Sequence, residues 1–124
     1  MDRQSTLALL DAFANAWNAH DPDALMACMT PDGGFHAAAG SVPEGKAHEG
    51  TFAVQAAYEA IFAAFPDAAW HDTKHIVDGD RAVTLWTFTG TRGDGSRVHV
   101  RGCDVFMIAG GRIALKDTYR KQII

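Results

Sequence analysis

Apolar positions in the first half of the chain recur every three or four residues. Leu7, Leu10, Phe13 and Trp17 fall on one face of a helix that the polar stretch Asn18 to Asp21 brings to an end. Asp21 before Pro22 signals a second helix start, because the carboxylate accepts orphan amides and proline's fixed φ suits a first turn. Leu25, Cys28 and Met29 share a face of this short helix. Thr30, Pro31, Asp32, Gly33 and Gly34 break the pattern, and Phe35 to Ala38 predict a brief strand. A loop from Ala39 to Gly50, with Gly40, Pro43, Gly45 and Gly50, is a candidate lid. After Thr51, the stripe Val54, Tyr58, Ile61, Phe62 and Phe65 predicts a third helix, which Pro66 stops.

Beyond Pro66 the period falls to two. Trp70–Val77, Arg81–Thr91, Arg97–Ile108 and Arg112–Ile123 are rich in β-branched and aromatic residues, and short turns separate them: Asp78-Gly79-Asp80, Gly93-Asp94-Gly95-Ser96 and Gly110-Gly111. Connections this short make the strands antiparallel neighbours, and a sheet with one apolar face must be covered by the preceding helices. The fold class is α+β, three helices packed on a twisted antiparallel sheet, and 124 residues suit one domain over 1–124.

Charge and cysteine content narrow the function classes. The net charge of -4 and the dispersed basic residues give no footprint for nucleic acid or a membrane surface. Cys28 and Cys103 lie outside any metal or redox spacing, which suits reduced thiols and implies no metal site. The opening Met1-Asp2-Arg3-Gln4 and the lack of a long apolar run predict neither leader nor anchor, hence a cytoplasmic protein. No Gly-rich phosphate loop, nucleophile elbow or metal-ligand helix occurs.

One residue breaks the alternation. On the strand Arg97–Ile108, Val98, Val100, Gly102, Asp104, Phe106 and Ile108 share a face, and Asp104 is a carboxylate in an apolar stripe. Such a group either finds strong partners or is perturbed by desolvation, and both conditions are common at functional sites. Its neighbour depends on the last turn. A two-residue Gly110-Gly111 turn puts Asp104 opposite Asp117; a three-residue Ala109-Gly110-Gly111 loop puts it opposite Lys116. A four-residue turn after Arg92 pairs Arg92 with Arg97, which brings Leu85 and Thr87 inward opposite Asp104 and Gly102 and turns Trp86 away. Gly102 leaves room beside Asp104, for a ligand or for a bend in the strand. His71 and His75, four apart in a strand, are expected on one pocket wall, with His36 at the pocket mouth. Phe13, Trp17, Phe35, Tyr58 and Phe62 are core candidates that can also line a pocket.

The order of elements, with Arg101-Gly102-Cys103-Asp104-Val105-Phe106 and Lys116-Asp117-Thr118-Tyr119-Arg120-Lys121, resembles the SnoaL-like branch of the nuclear-transport-factor-2-like superfamily over essentially the whole chain. The resemblance implies a cone of curved sheet wrapped on three helices, a deep apolar internal pocket and a homodimer. Asp104 looks like the aspartate that acts as general acid/base in polyketide cyclases and as oxyanion-hole donor in ketosteroid isomerases. The isomerase tyrosine and base fall on Phe13 and Ala37, and the limonene-type epoxide hydrolase set falls on Thr87, Leu85, Thr118, Phe35 and Ala37, so both sets are incomplete. The comparison favours the three-residue loop, with Lys116 beside Asp104 and Thr118 facing the pocket.

The expected function is therefore cofactor-independent acid/base chemistry of cyclase, isomerase or lyase type on a small apolar organic ligand. Asp104, Lys116, His71 and His75 are the candidate catalytic residues. Phe13, Trp17, Phe35, His36, Tyr58, Phe62, Leu85, Thr87, Gly102, Phe106 and Thr118 are the candidate pocket lining. The alternative is a non-catalytic ligand-binding or dimeric interaction module. Val105, Met107, Ile113, Leu115 and Tyr119 make the opposite sheet face more apolar than solvent requires, which predicts a homodimer through it.

Overall fold

The computed structural model describes residues 1–124. Helix α1 spans Arg3–Asn18 and begins where the Asp2 carboxylate accepts the Ser5 amide at 2.7 Å. Helix α2, Pro22–Ala27, is capped by Asp21 through the Ala24 amide. Strands β1 (Met29–His36) and β2 (Ala47–Glu49) pair, helix α3 covers Thr51–Ala64, and four strands follow: β3 (Ala69–Asp78), β4 (Arg81–Thr91), β5 (Arg97–Ala109) and β6 (Arg112–Arg120). The sheet order is β2-β1-β6-β5-β4-β3. All neighbours are antiparallel except β1 and β6, which run parallel. Hairpin logic reaches only consecutive strands, so it gave no sign of this parallel pair.

Strand β1 is longer than the expected Phe35–Ala38 and includes the Pro31-Asp32-Gly33-Gly34 stretch that reads as a breaker. The register against β6 shifts between Met29 and Gly34, which absorbs the proline.

The principal core joins Leu10, Phe13, Ala16 and Trp17 of α1, Leu25 of α2, Val54 and Tyr58 of α3, and Phe106, Ile108 and Ile113 of the sheet. A smaller core of Ala68, Trp86, Phe88, Val98 and Val100 fills the inner face beyond the helices. Two latches hold α1 against β3. Asn18 exchanges hydrogen bonds with the Trp70 backbone at 2.8 and 2.9 Å, and His75 Nε2 meets Asp11 Oδ1 at 2.9 Å.

Registers decide which side chains enter the core. Thr91, not Arg92, pairs with Arg97, so Thr84 lies opposite Asp104 and Trp86 opposite Gly102. This one-residue difference exchanges the faces of β4: Trp86 points inward, and Leu85 and Thr87 point outward. The β5–β6 turn has two residues, Gly110 and Gly111, with φ of 57° and 77°, as a primed turn requires. A bulge then shifts the register between the Ile108–Ile113 and Met107–Leu115 pairs. Asp104 therefore lies directly opposite Thr118, and neither Asp117 nor Lys116 takes that place. Ile113, expected on the outer face, is fully buried on the inner one.

Candidate functional site

Asp104 is buried at the middle of β5 and is surrounded by donors. The Trp86 indole Nε1 donates to its Oδ2 at 3.0 Å, and the Thr118 hydroxyl donates to its Oδ1 at 2.7 Å. Lys116 Nζ lies 3.1 Å from the same Oδ1 and donates to Thr118 Oγ1 at 2.7 Å. Lys116 reaches Asp104 diagonally, because the bulge in β6 sets both Ile113 and Lys116 on the inner face. A carboxylate offers about four lone-pair positions and three are taken here, which leaves one on Oδ2.

Lys116 is as buried as its partner and stands among aromatic rings. Its Nζ is 4.5 Å from the Phe35 ring centroid, 5.1 Å from Trp17 and 5.8 Å from Tyr58. Ion pair and ring faces together compensate the ammonium for lost hydration. Burial first and the Asp104 charge second hold the Tyr58 hydroxyl well above its usual range, so it stays a phenol that donates to Met29 Sδ at 3.1 Å.

Beside the pair is an internal cavity of about 30 Å³. Leu10, Phe13, Ala14 and Trp17 of α1 line it, with Trp70 and Thr73 of β3, Thr84 and Trp86 of β4, Asp104, Phe106 and Lys116. Its outer end reaches the surface between α1 and β3 at the exposed Thr73. The space suits one water, which needs about 10–15 Å³ and polar partners. The interior is otherwise filled by side chains.

The expected site residues divide into two groups. Asp104, Lys116, Thr118, Phe13, Trp17, Phe35, Tyr58 and Phe106 converge on the ion pair or the cavity, and Phe62 backs Trp17 from α3 with centroids 5.3 Å apart. The two histidines do not share a wall. A register shift in β3 between His71 and Lys74, with Asp72 at φ 55°, turns His71 outward to Thr89 Oγ1. His75 faces inward, with Nδ1 2.8 Å from Thr84 Oγ1, one side chain away from Asp104. His36 pairs with Asp117 and sits on the outer face rather than at a mouth. Gly102 leaves no room for a ligand, since a Cβ there would lie 2.5 Å from the Trp86 ring, which occupies that space. Leu85 and Thr87 are likewise outside.

Sequence reasoning missed Trp86, Thr84, Trp70 and Leu10 as neighbours of the site. The signal for Trp86 was the alternation of β4 itself, read one residue out of phase. The Ala39-to-Gly50 lid is also relocated: Pro43, Glu44 and Gly45 border a hollow of about 830 Å³ on the outer sheet face with Leu85, Cys103 and Tyr119. No three His, Cys, Asp or Glu side chains cluster as metal ligands. No helix is long and apolar enough to cross a membrane.

An α+β cone with a charged pair on its covered face defines the class, a cystatin-like or nuclear-transport-factor-2-like domain. The family model for the SnoaL-like domain matches residues 10–116, and the chain belongs to that family. Three solved structures illustrate the likeness. TsrD from Streptomyces laurentii is 26% identical, with a TM-score of 0.79 over 98% of this chain and 91% of its own. A nuclear-transport-factor-2-like protein of unknown function from Mesorhizobium loti is 28% identical, with a TM-score of 0.78 over 98% and 96%. A provisionally assigned polyketide cyclase from Xanthomonas campestris is 20% identical, with a TM-score of 0.83 over 94% and 90%, a likeness of fold alone. No curated protein matches the sequence.

Proposed function

We propose that this protein is a cofactor-independent acid/base enzyme acting on a small apolar organic compound by cyclase, isomerase or lyase chemistry. The observation that carries the reading is the buried Asp104–Lys116 pair at the wall of the inner cavity, whose water-sized space has to widen between α1 and β3 to admit a substrate. Asp104 Oδ2, with its free lone pair, takes a proton from substrate carbon and returns it, while Lys116 supplies fixed positive charge against the anion that develops. Trp86 and Thr118 orient the carboxylate.

Deuterium incorporation next to the carbonyl of 2-tetralone in heavy water tests this. Wild type is expected to accelerate exchange over buffer and Asp104→Asn to lower the rate about 10²–10⁴-fold. No acceleration by wild type, or an unchanged rate in the variant, overturns the reading.

A second reading is a dimeric ligand-binding module, favoured by the larger outer hollow. In either case the homodimer forms through the outer face, where Leu85, Met107 and Tyr119 are exposed and Val83, Val105 and Leu115 half-buried. Light scattering is expected to give twice the chain mass of 13.3 kDa, and Met107→Asp with Leu85→Asp to give the monomer.

A further inference from the structure

Two cross-links tie α1 to β3, and the inner cavity comes to the surface between them. At one end Asn18 exchanges two hydrogen bonds with the Trp70 backbone at 2.8 and 2.9 Å; at the other His75 Nε2 meets Asp11 Oδ1 at 2.9 Å. Asp11, Ala14 and Asn18 share one stripe of the helix, so Ala14 stands between the two cross-links, and it lines the cavity together with Thr73. Strand β3 has slack at that place. Asp72 and Thr73 stand opposite the single residue Trp86 of β4, with Asp72 in the left-handed region at φ 55°. The two ends differ in strength. The Trp70 ring packs against Trp17 and Phe88, with centroids 5.0 and 5.2 Å away, so the Asn18 end is anchored in an aromatic cluster. The other end is one contact to a carboxylate that is 68% exposed, and a pair so open to water contributes little. His75 is held from the sheet side by Thr84 Oγ1 at 2.8 Å, so it stays with β3 and β4 when Asp11 lets go.

We infer that the Asp11–His75 pair is the catch of the cavity entrance, with Asn18 at the fixed end. Release of the catch lets the first half of α1 swing away from β3, which carries Leu10 off the cavity wall and opens a path beside Ala14 and Thr73 to Asp104 and Lys116. Leu10 is 1% exposed when the catch is closed, so the burial it gives up keeps the open form a minor one, through which a small apolar compound enters. The inference rests on the inner cavity being the substrate site of the proposed function, but not on proton transfer by Asp104.

Methyl methanethiosulfonate, a small uncharged thiol reagent, tests the entrance. Thr84→Cys places a thiol on the cavity wall, Cys103→Ser removes the thiol of the outer face, and the buried Cys28, outside the cavity lining, reports opening elsewhere. Mass spectrometry follows labelling at each position. Adding Asp11→Ala to this protein is expected to speed labelling at position 84 about five-fold and to leave Cys28 unchanged, since the rate tracks the population of the open form. An unchanged rate at position 84, or an equal rise at both thiols, overturns the inference. If Thr84→Cys fails to fold, exchange of the Trp86 indole proton with heavy water takes its place, because Trp86 lines the same cavity. Asp11→Ala should then speed the indole about five-fold while the backbone amides of β1 and β6 hold their rates; an unchanged indole, or a rise shared by those amides, overturns the inference. Asp11-dependent access without exchange of 2-tetralone overturns only the proposed function; Asp104-dependent exchange with access indifferent to Asp11 overturns only the catch.

Discussion

Replacing Lys116 by methionine isolates the electrostatic role of the buried pair. Methionine keeps an unbranched apolar stem against Phe35, Trp17 and Tyr58, so the packing around position 116 is largely retained. What is lost is the cation 3.1 Å from Asp104 Oδ1, leaving a buried carboxylate with only Trp86 and Thr118 as donors. Breaking a buried pair from one side costs about 3–5 kcal/mol. With an m-value of about 2 kcal/mol/M in urea, the unfolding midpoint should fall by about 2 M. The double variant Lys116→Met with Asp104→Asn buries no charge, and its amide oxygen still accepts from Trp86 or Thr118. It should recover about 2 kcal/mol of the loss. Equilibrium unfolding followed by circular dichroism measures both. A single-variant loss below about 1 kcal/mol, or a double variant no more stable than the single, would refute the argument.

Gly102→Ala forces a Cβ to 2.5 Å from the Trp86 ring and 2.6 Å from the Tyr119 carbonyl, and should cost about 1–3 kcal/mol with a shift in tryptophan emission as Trp86 leaves Asp104. Hydrogen bonds from the Thr91 hydroxyl and amide, with a smaller contribution from Arg97, hold the Asp67 carboxyl below its usual range. A depressed carboxyl stabilises above its unfolded value of 3.8 and loses that contribution as pH falls through the folded value, so Asp67→Asn should flatten the acid limb of stability below pH 3.8. Both tyrosines are raised, Tyr58 chiefly by burial and Tyr119 chiefly by its hydrogen bond to Asp117. Because the unfolded chain loses these protons first, stability should decline above pH 10, and absorbance titration of native protein should detect Tyr119 before Tyr58.

Periodicity was enough to delimit the helices and the four long strands, because amphipathic stripes and glycine-rich turns are local signals. The inward position of Asp104 was legible for the same reason, since β5 alternates without a break. What sequence could not supply was the phase between strands. The turn after Thr91 is one residue longer than read, and that alone sends Trp86 to Asp104 in place of Leu85. The bulges in β3 and β6 are backbone irregularities at ordinary residues, and they separate His71 from His75 and bring Lys116 inside. The orphan indole of Trp17 had no local signature at all, because it depends on three elements meeting around one ring.

The bulge in β6 has a consequence for how such an interior can change over generations. Were Ala114 paired in a regular ladder instead of bulged out of it, the same Gly-Gly hairpin would face Asp104 with Asp117 and send Lys116 to the outer surface. Two carboxylates would then share the core, a site that ionises only in part. The sign of the charge beside Asp104 is therefore set by whether Ala114 is bulged or paired. Taking Ala114 into the ladder reverses it while every side chain keeps its identity, whereas deleting Ala114 outright leaves the present pairing, so this interior depends on how the backbone runs at one residue as much as on which side chains it carries.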